Sequence, residues 1–240
     1  GLIYTSLARI DDAVGRLDDQ AAANAARAIK HIEAARLRRG ADDAGRELAL
    51  GRLYLATGQA DLAIPVLRRL ADIDPDGTEP TALLADAYEE AGRRTEAVRL
   101  LESIVATRPQ FYPALAGLYE KQERWKDAAA AYEQALARVP QNVEFKKRLA
   151  MAWLSGGESA EAGRAAALLK EVRQGSPTDT HVVFLLAQAQ RMAGQLDEAE
   201  TTARQLMALA PKQSSGAAVL AQVLEQKQEY LQVIELLEPM

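Results

Sequence analysis

The chain has 240 residues, 48% hydrophobic and only 5% aromatic, with 29 Lys+Arg against 34 Asp+Glu and a net charge of −5. That balance argues against a general binder of the nucleic-acid phosphate backbone. The absence of cysteine excludes a disulfide framework, a thiolate metal site and a cysteine nucleophile, and no apolar run approaches the roughly eighteen residues of a membrane span.

From the N-terminus, Leu7, Ile10, Val14 and Leu17 have the spacing of an amphipathic helix. Ala28, Ile32 and Ala35 read as the second helix of a divergent unit over residues 1–43. No basic segment precedes an apolar core here, so the stretch does not read as a secretory leader. The charges of Arg36, Arg38 and Arg39 are expected to be a solvated face that interacts with the dipole of the helix end. Gly40 stands where later units carry a proline.

From Ala44 onward a pattern repeats. Leu50 and Tyr54 lie four apart on one helical face, and Gly58 ends that helix. Asp61 is expected to cap a second helix, along which Ala63, Leu67 and Leu70 share a face. Small residues at Gly51 and Ala63 let the two helices approach closely. Asp74-Pro75 stops the second helix, and Pro65, near its start, costs it one backbone bond. Closing prolines recur at Pro75, Pro109, Pro140, Pro177 and Pro211, with gaps of 34, 31, 37 and 34 residues. A fixed period in this range is the mark of a repeat architecture. The short gap is placed between Pro109 and Tyr112, where Pro113 can open a helix. The long one is placed in the turn from Gly156 to Gly163.

The later units carry Leu84-Ala85, Tyr88 and Gly92; Leu115-Ala116 and Tyr119; Leu149-Ala150, Trp153 and Gly157; Leu186-Ala187 and Gly194; and Leu220-Ala221 with Leu224. In register with these stand Ala97, Ala128, Ala165 and Ala199 on the second helices. The chain therefore resembles the tetratricopeptide repeat family over residues 44–240. The resemblance implies an all-α fold, a right-handed α-solenoid of stacked helix-turn-helix units. The units are expected at 44–77, 78–109, 110–142, 143–179, 180–213 and 214–240, the last truncated, as in a segment of a longer protein. Ala85, Ala116, Ala150 and Ala187 are expected to be buried. In the last helix Ile234 and Leu237 should pack inward, leaving Leu231, Val233 and Leu236 on a face without a polar cap.

No catalytic constellation is present. His31 and His181 lie far apart, and no zincin motif, phosphate-binding Gly-rich loop or nucleophile elbow occurs. Neither a catalytic residue nor a metal ligand nor a cofactor is expected, and the chain reads as a non-enzyme. The resemblance instead implies a protein or peptide partner, taken up as an extended segment or helix in a concave groove lined by the first helix of each unit. The groove residues expected on that basis are Arg52, Asp86, Glu89, Glu120, Lys121, Lys147, Phe184, Gln188 and Arg191. Arg52, Asp86, Gly117 and Met151 occupy places where a chaperone-tail carboxylate clamp needs asparagine and basic groups, so that clamp is absent. Two other functions fit the resemblance. One is a structural, self-associating arm of an envelope or secretion assembly, pairing through the C-terminal end. The other is a regulatory arm of a larger enzyme. The Ala-, Arg- and Leu-rich composition looks bacterial, and bacterial relatives point toward the periplasm or a membrane surface; neither nucleic acid nor membrane insertion is expected.

Overall fold

A computed structural model describes residues 19–39 and 43–238, with side chains described from 23 to 36 and from 43 onward. The helix expected around Leu7, Ile10, Val14 and Leu17, the side chains of Arg38 and Arg39, Gly40 and Met240 lie outside this range. Among the described residues there are thirteen α-helices and no strand. The chain divides into two compact units, residues 1–106 and 107–240.

In the first unit, α1 (Asp19–Arg39), α2 (Ala44–Ala56), α3 (Ala60–Ile73), α4 (Thr78–Glu90) and α5 (Arg94–Ile104) pack each on the next. Asp43 caps α2, accepting a hydrogen bond from the Arg46 N–H at 3.1 Å. The cap expected from Asp61 does not form: Gln59 holds the cap position of α3, without a side-chain bond. Asp61 sits within the first turn, where its charge suits the positive end of the helix dipole. Leu50, Ala63, Leu67, Ala97 and Leu101 have no solvent exposure. A Cβ at Gly51 would stand 2.5 Å from Leu67 Cδ2, so any larger residue there must displace the buried Leu67 side chain.

The seat of α1 is more polar. Ile29 is buried, and Tyr54 Oη donates to Glu33 Oε1 at 2.5 Å. Burial first, then the Glu33 bond, pushes the Tyr54 phenol up to about 12. The buried Glu47 carboxylate lies between the Arg36 and Arg69 guanidinium groups at 3.3 and 3.1 Å, which is how a buried charge is tolerated.

In the second unit a 3₁₀ turn (Pro109–Phe111) leads into α6 (Tyr112–Glu120), α7 (Trp125–Arg138), α8 (Val143–Gly156), α9 (Ser159–Gly175), α10 (Thr180–Met192), α11 (Leu196–Leu209), α12 (Ser215–Gln226) and α13 (Tyr230–Leu237). Pro113 lies in the first turn of α6 and is buried. From α6 on, each helix packs against its neighbours in sequence, so the array is one-dimensional, as in a solenoid. Alternate helices α8, α10 and α12 also touch one another directly and form one continuous row. Ala116, Ala150 and Ala187 are fully buried, and Ala85 of α4 is 5% exposed.

The turns share one device. The chain enters the left-handed region at Gly58, Gly92, Gly157 and Gly194, and also at Glu123 (φ 56°) and Gln228 (φ 62°). The carbonyls of Tyr54, Tyr88, Tyr119, Gln190 and Leu224 each accept from the N–H five residues on, at 2.7–2.9 Å. This closes the first helix of each of those hairpins.

Two expectations need correction. The extra residues after Gly156 do not lengthen a turn: Ser159 to Gly163 are helical, and α9 has 17 residues where α7 and α11 have 14. In α13 the inward face is the other one. Val233 and Leu236 pack on the core built by Ala199, Ala203, Leu220 and Leu224, whereas Ile234 and Leu237 are 54% and 47% exposed.

Candidate functional site

In the first unit, Arg52 on α2 is exposed and ion-paired with Glu79 of α4. Asp86 and Glu89 on α4 are half-buried. In the second unit the expected residues fall on the first helices of successive hairpins. Glu120 and Lys121 close α6, Lys147 is on α8, and Phe184, Gln188 and Arg191 are on α10.

Most of the charges are committed inside the fold. Glu120 Oε2 accepts from Arg148 Nη1 at 2.9 Å, and Arg148 also bonds Glu144 at 3.3 Å. Lys147 Nζ stands 3.5 Å from Glu144 and 3.8 Å from Asp179. Asp179 in turn caps α10 by accepting from the His181 and Val182 N–H groups. Phe184 is half-buried against the core between α10, α11 and α12. Gln188, one helical turn further along α10, is half-buried as well.

Arg191 differs. It makes no ion pair, and its Nε is buried without a hydrogen-bond partner among the described residues. An unmet buried donor of this kind costs about 1–3 kcal/mol. The α8–α10–α12 row therefore carries a guanidinium the fold does not neutralise, with the half-buried Met151 on α8 and the exposed Gln222 and Glu225 on α12.

The internal partners Glu79, Glu144, Arg148 and Asp179 were not singled out from the sequence. The Glu144–Arg148 spacing of four is a readable signal for a helical pair. The Glu120–Arg148 and Lys147–Asp179 pairs join neighbouring hairpins of the second unit and need the packing to be seen. His31 and His181 are both exposed. Among the described residues no three His, Asp or Glu side chains group as a metal site, and no helix is long and apolar enough to cross a membrane.

Comparison with known proteins follows the same lines. A tetratricopeptide repeat family model matches residues 54–121 and 159–223, and a second tetratricopeptide repeat model matches residues 114–179. A crystal structure of MamA protein aligns with a TM-score of 0.59 at 19% identity, over 70% of this chain and 92% of that one. MamA MSR-1 aligns at 0.55 and 20%, over 72% and 94%. The nearly identical TPR-like repeats of a putative kinesin light chain from Podosopora anserina align at 0.54 and 24%, over 72% and 99%. At these identities the likeness establishes the fold. No curated protein sequence matches the chain.

Proposed function

Because the chain belongs to the tetratricopeptide repeat family, whose members are typically non-catalytic and bind protein partners, we propose that it is a non-catalytic scaffold. Its partner is an extended peptide or helix held along the first helices of the hairpins, with the unit boundaries at 44–77, 78–109, 110–142, 143–179, 180–213 and 214–240. The supporting observation is Arg191, the guanidinium left without a partner on the α8–α10–α12 row. It favours a carboxylate or an acidic side chain opposite α10. On the first unit, Asp86 and Glu89 favour basic groups, and such pairing sets orientation and association rate more than affinity.

The test is an array of unrelated 15-residue peptides probed with the native chain and with Arg191→Glu. The native chain selects peptides carrying acidic residues, and the variant binds them about 10-fold more weakly or worse. Peptides bound equally by both, or no selection at all, refute the groove reading.

Self-association is the second reading, favoured by the apolar face of α13, where Leu231, Tyr230 and Ile234 are 78%, 60% and 54% exposed. Sedimentation of the native chain against Leu231→Lys decides it: a monomer at every concentration removes this reading.

A further inference from the structure

One position recurs through both units, four residues after the buried leucine of each first helix. It holds Tyr54, Tyr88, Tyr119 and Trp153, all buried. In three of these hairpins an arginine covers the ring: Arg93 over Tyr88 at 5.2 Å, Arg124 over Tyr119 at 4.3 Å and Arg164 over Trp153 at 4.2 Å. On α10 the position holds Gln190, 2% exposed, facing Thr202 of α11 at 4%. Gln195 stands where Arg93 and Arg124 stand in their hairpins. Both the aromatic ring and the arginine above it are missing from this hairpin.

An open recess of about 300 Å³ lies at this place, at the lower end of ligand-site volumes. It is lined by Arg173 of α9, Gln190 of α10, and Asp197, Glu198, Thr202 and Gln205 of α11. It belongs to the side of α9 and α11, whereas the groove reading concerns the row of α8, α10 and α12, so it stands independently of that reading.

The hydrogen bonds at its floor do not close. Thr202 has one hydroxyl proton but two acceptors in reach, Gln190 Oε1 at 2.7 Å and the Glu198 carbonyl at 2.8 Å. Whichever way the Gln190 amide is turned, one of its ends has no protein partner. Acceptors are in surplus at the rim. Among the described residues Glu198 makes no ion pair, and Asp197 shares Lys227 with Glu200 and Glu229 at 3.0, 2.7 and 3.2 Å. The cation already lining the recess, Arg173, donates to Gln205 at 2.7 Å.

We propose that this recess is a binding site for a guanidinium, the side chain of an arginine on a partner protein. A planar group with five donors meets the Glu198 carboxylate, the amide of Gln190 and the hydroxyl of Thr202 at once.

The test uses the full chain, ¹⁵N-labelled, titrated with N-acetyl-arginine amide and, separately, with the neutral isostere N-acetyl-citrulline amide. The arginine compound shifts backbone signals of residues 197–205 and Arg173, and the citrulline compound binds about 10-fold more weakly. Gln190→Tyr, which places there the kind of ring found at Tyr54, Tyr88, Tyr119 and Trp153, abolishes the localised shifts. Glu198→Gln, at an exposed position, weakens binding about 10-fold and decides the matter if the tyrosine variant does not fold. Equal binding of citrulline, shifts scattered over carboxylates elsewhere on the chain, or binding unchanged in a folded variant would overturn the proposal.

Discussion

The hairpins α10–α11 and α12–α13 follow each other in the chain and are built from similar material, yet they bury very different amounts of it. On α11, Ala199, Thr202, Ala203 and Leu206 are buried, and α12 packs along the helix. On α13 no residue is fully buried, although YLQVIELL is the more apolar sequence. The difference lies in neighbours: α11 packs between α10 and α12, whereas α13 packs mainly on α12, with Val233 and Leu236 reaching the α11 core, and among the described residues no helix covers its other side. In a stacked array each face is stabilised by the next element, so composition does not decide burial. The largest test of this contrast is a pair of truncations. Leu220→Ala in α12, at 1% exposure, removes a side chain from the core between α11, α12 and α13 and is expected to cost about 2–5 kcal/mol. Leu231→Ala, at 78% exposure, is expected to stay within about 0.5 kcal/mol. Equal shifts of the urea midpoint would break the contrast.

The interior can also be tested from the opposite direction. Ala150 on α8 has no exposed surface, and α7, α9 and α10 all pack against that helix. Ala150→Leu forces a larger side chain into this crossing and is expected to cost about 1–3 kcal/mol. An unchanged urea midpoint would show that the crossing has slack. A smaller effect of opposite sign is expected at the α12–α13 turn. Gln228 holds φ 62°, where four other hairpins use glycine. Gln228→Gly relieves the Cβ clash of that conformation, and thermal melting should show a gain of up to about 1 kcal/mol. A loss there would mean that Gln228 earns its place through contacts.

Much of this was legible in the sequence, because the packing rule is strictly periodic. A leucine followed by a small residue, then a large side chain four places after the leucine, is demanded by the same helix crossing in every hairpin. Ala116, Ala150 and Ala187 could therefore be placed without coordinates. What could not be read was whatever depends on rotation or on a second unit. The inward face of α13 is one position away from the expected one, since Leu231, Val233, Ile234, Leu236 and Leu237 offer two adjacent apolar stripes and only packing on the core of α11 and α12 chooses between them. The cap of α3 was misplaced because Asp61 and Gln59 are both polar and lie within one turn. The groove charges looked available because their partners, such as Arg148 for Glu120, come from the next hairpin. Gln190 was visible all along as the break in an aromatic series, but a missing ring has meaning only once the space it leaves is seen.

The last test concerns how the poorly buried end is held. Lys227, at the turn between α12 and α13, reaches Glu200 at 2.7 Å, Asp197 at 3.0 Å and Glu229 at 3.2 Å. Glu200 also accepts from Arg204, one turn along α11, at 2.8 Å. Lys227 first, and Arg204 second, hold the Glu200 carboxyl below the usual carboxylate range, against the opposing effect of burial. The same carboxylate, followed by Asp197, holds Lys227 above the usual lysine range. A carboxyl whose pKa is lowered by folding contributes stability above its unfolded value, about 4.3, and that contribution is lost as pH falls through the lower folded value. A lysine whose pKa is raised contributes below about 10.4 and loses that only as pH rises through its folded value. At neutral pH both contributions are fully present. Glu200→Gln should therefore lower the urea midpoint at pH 7, and the gap from the native chain should close below about pH 4, as the native carboxyl takes up its proton. Added salt should narrow the gap at neutral pH, because these groups are only partly shielded from solvent. A gap that is equal at neutral and acid pH would assign the role of Glu200 to packing rather than charge. The terminal hairpin would then be held by the same kind of contact as the interior, only with less of it.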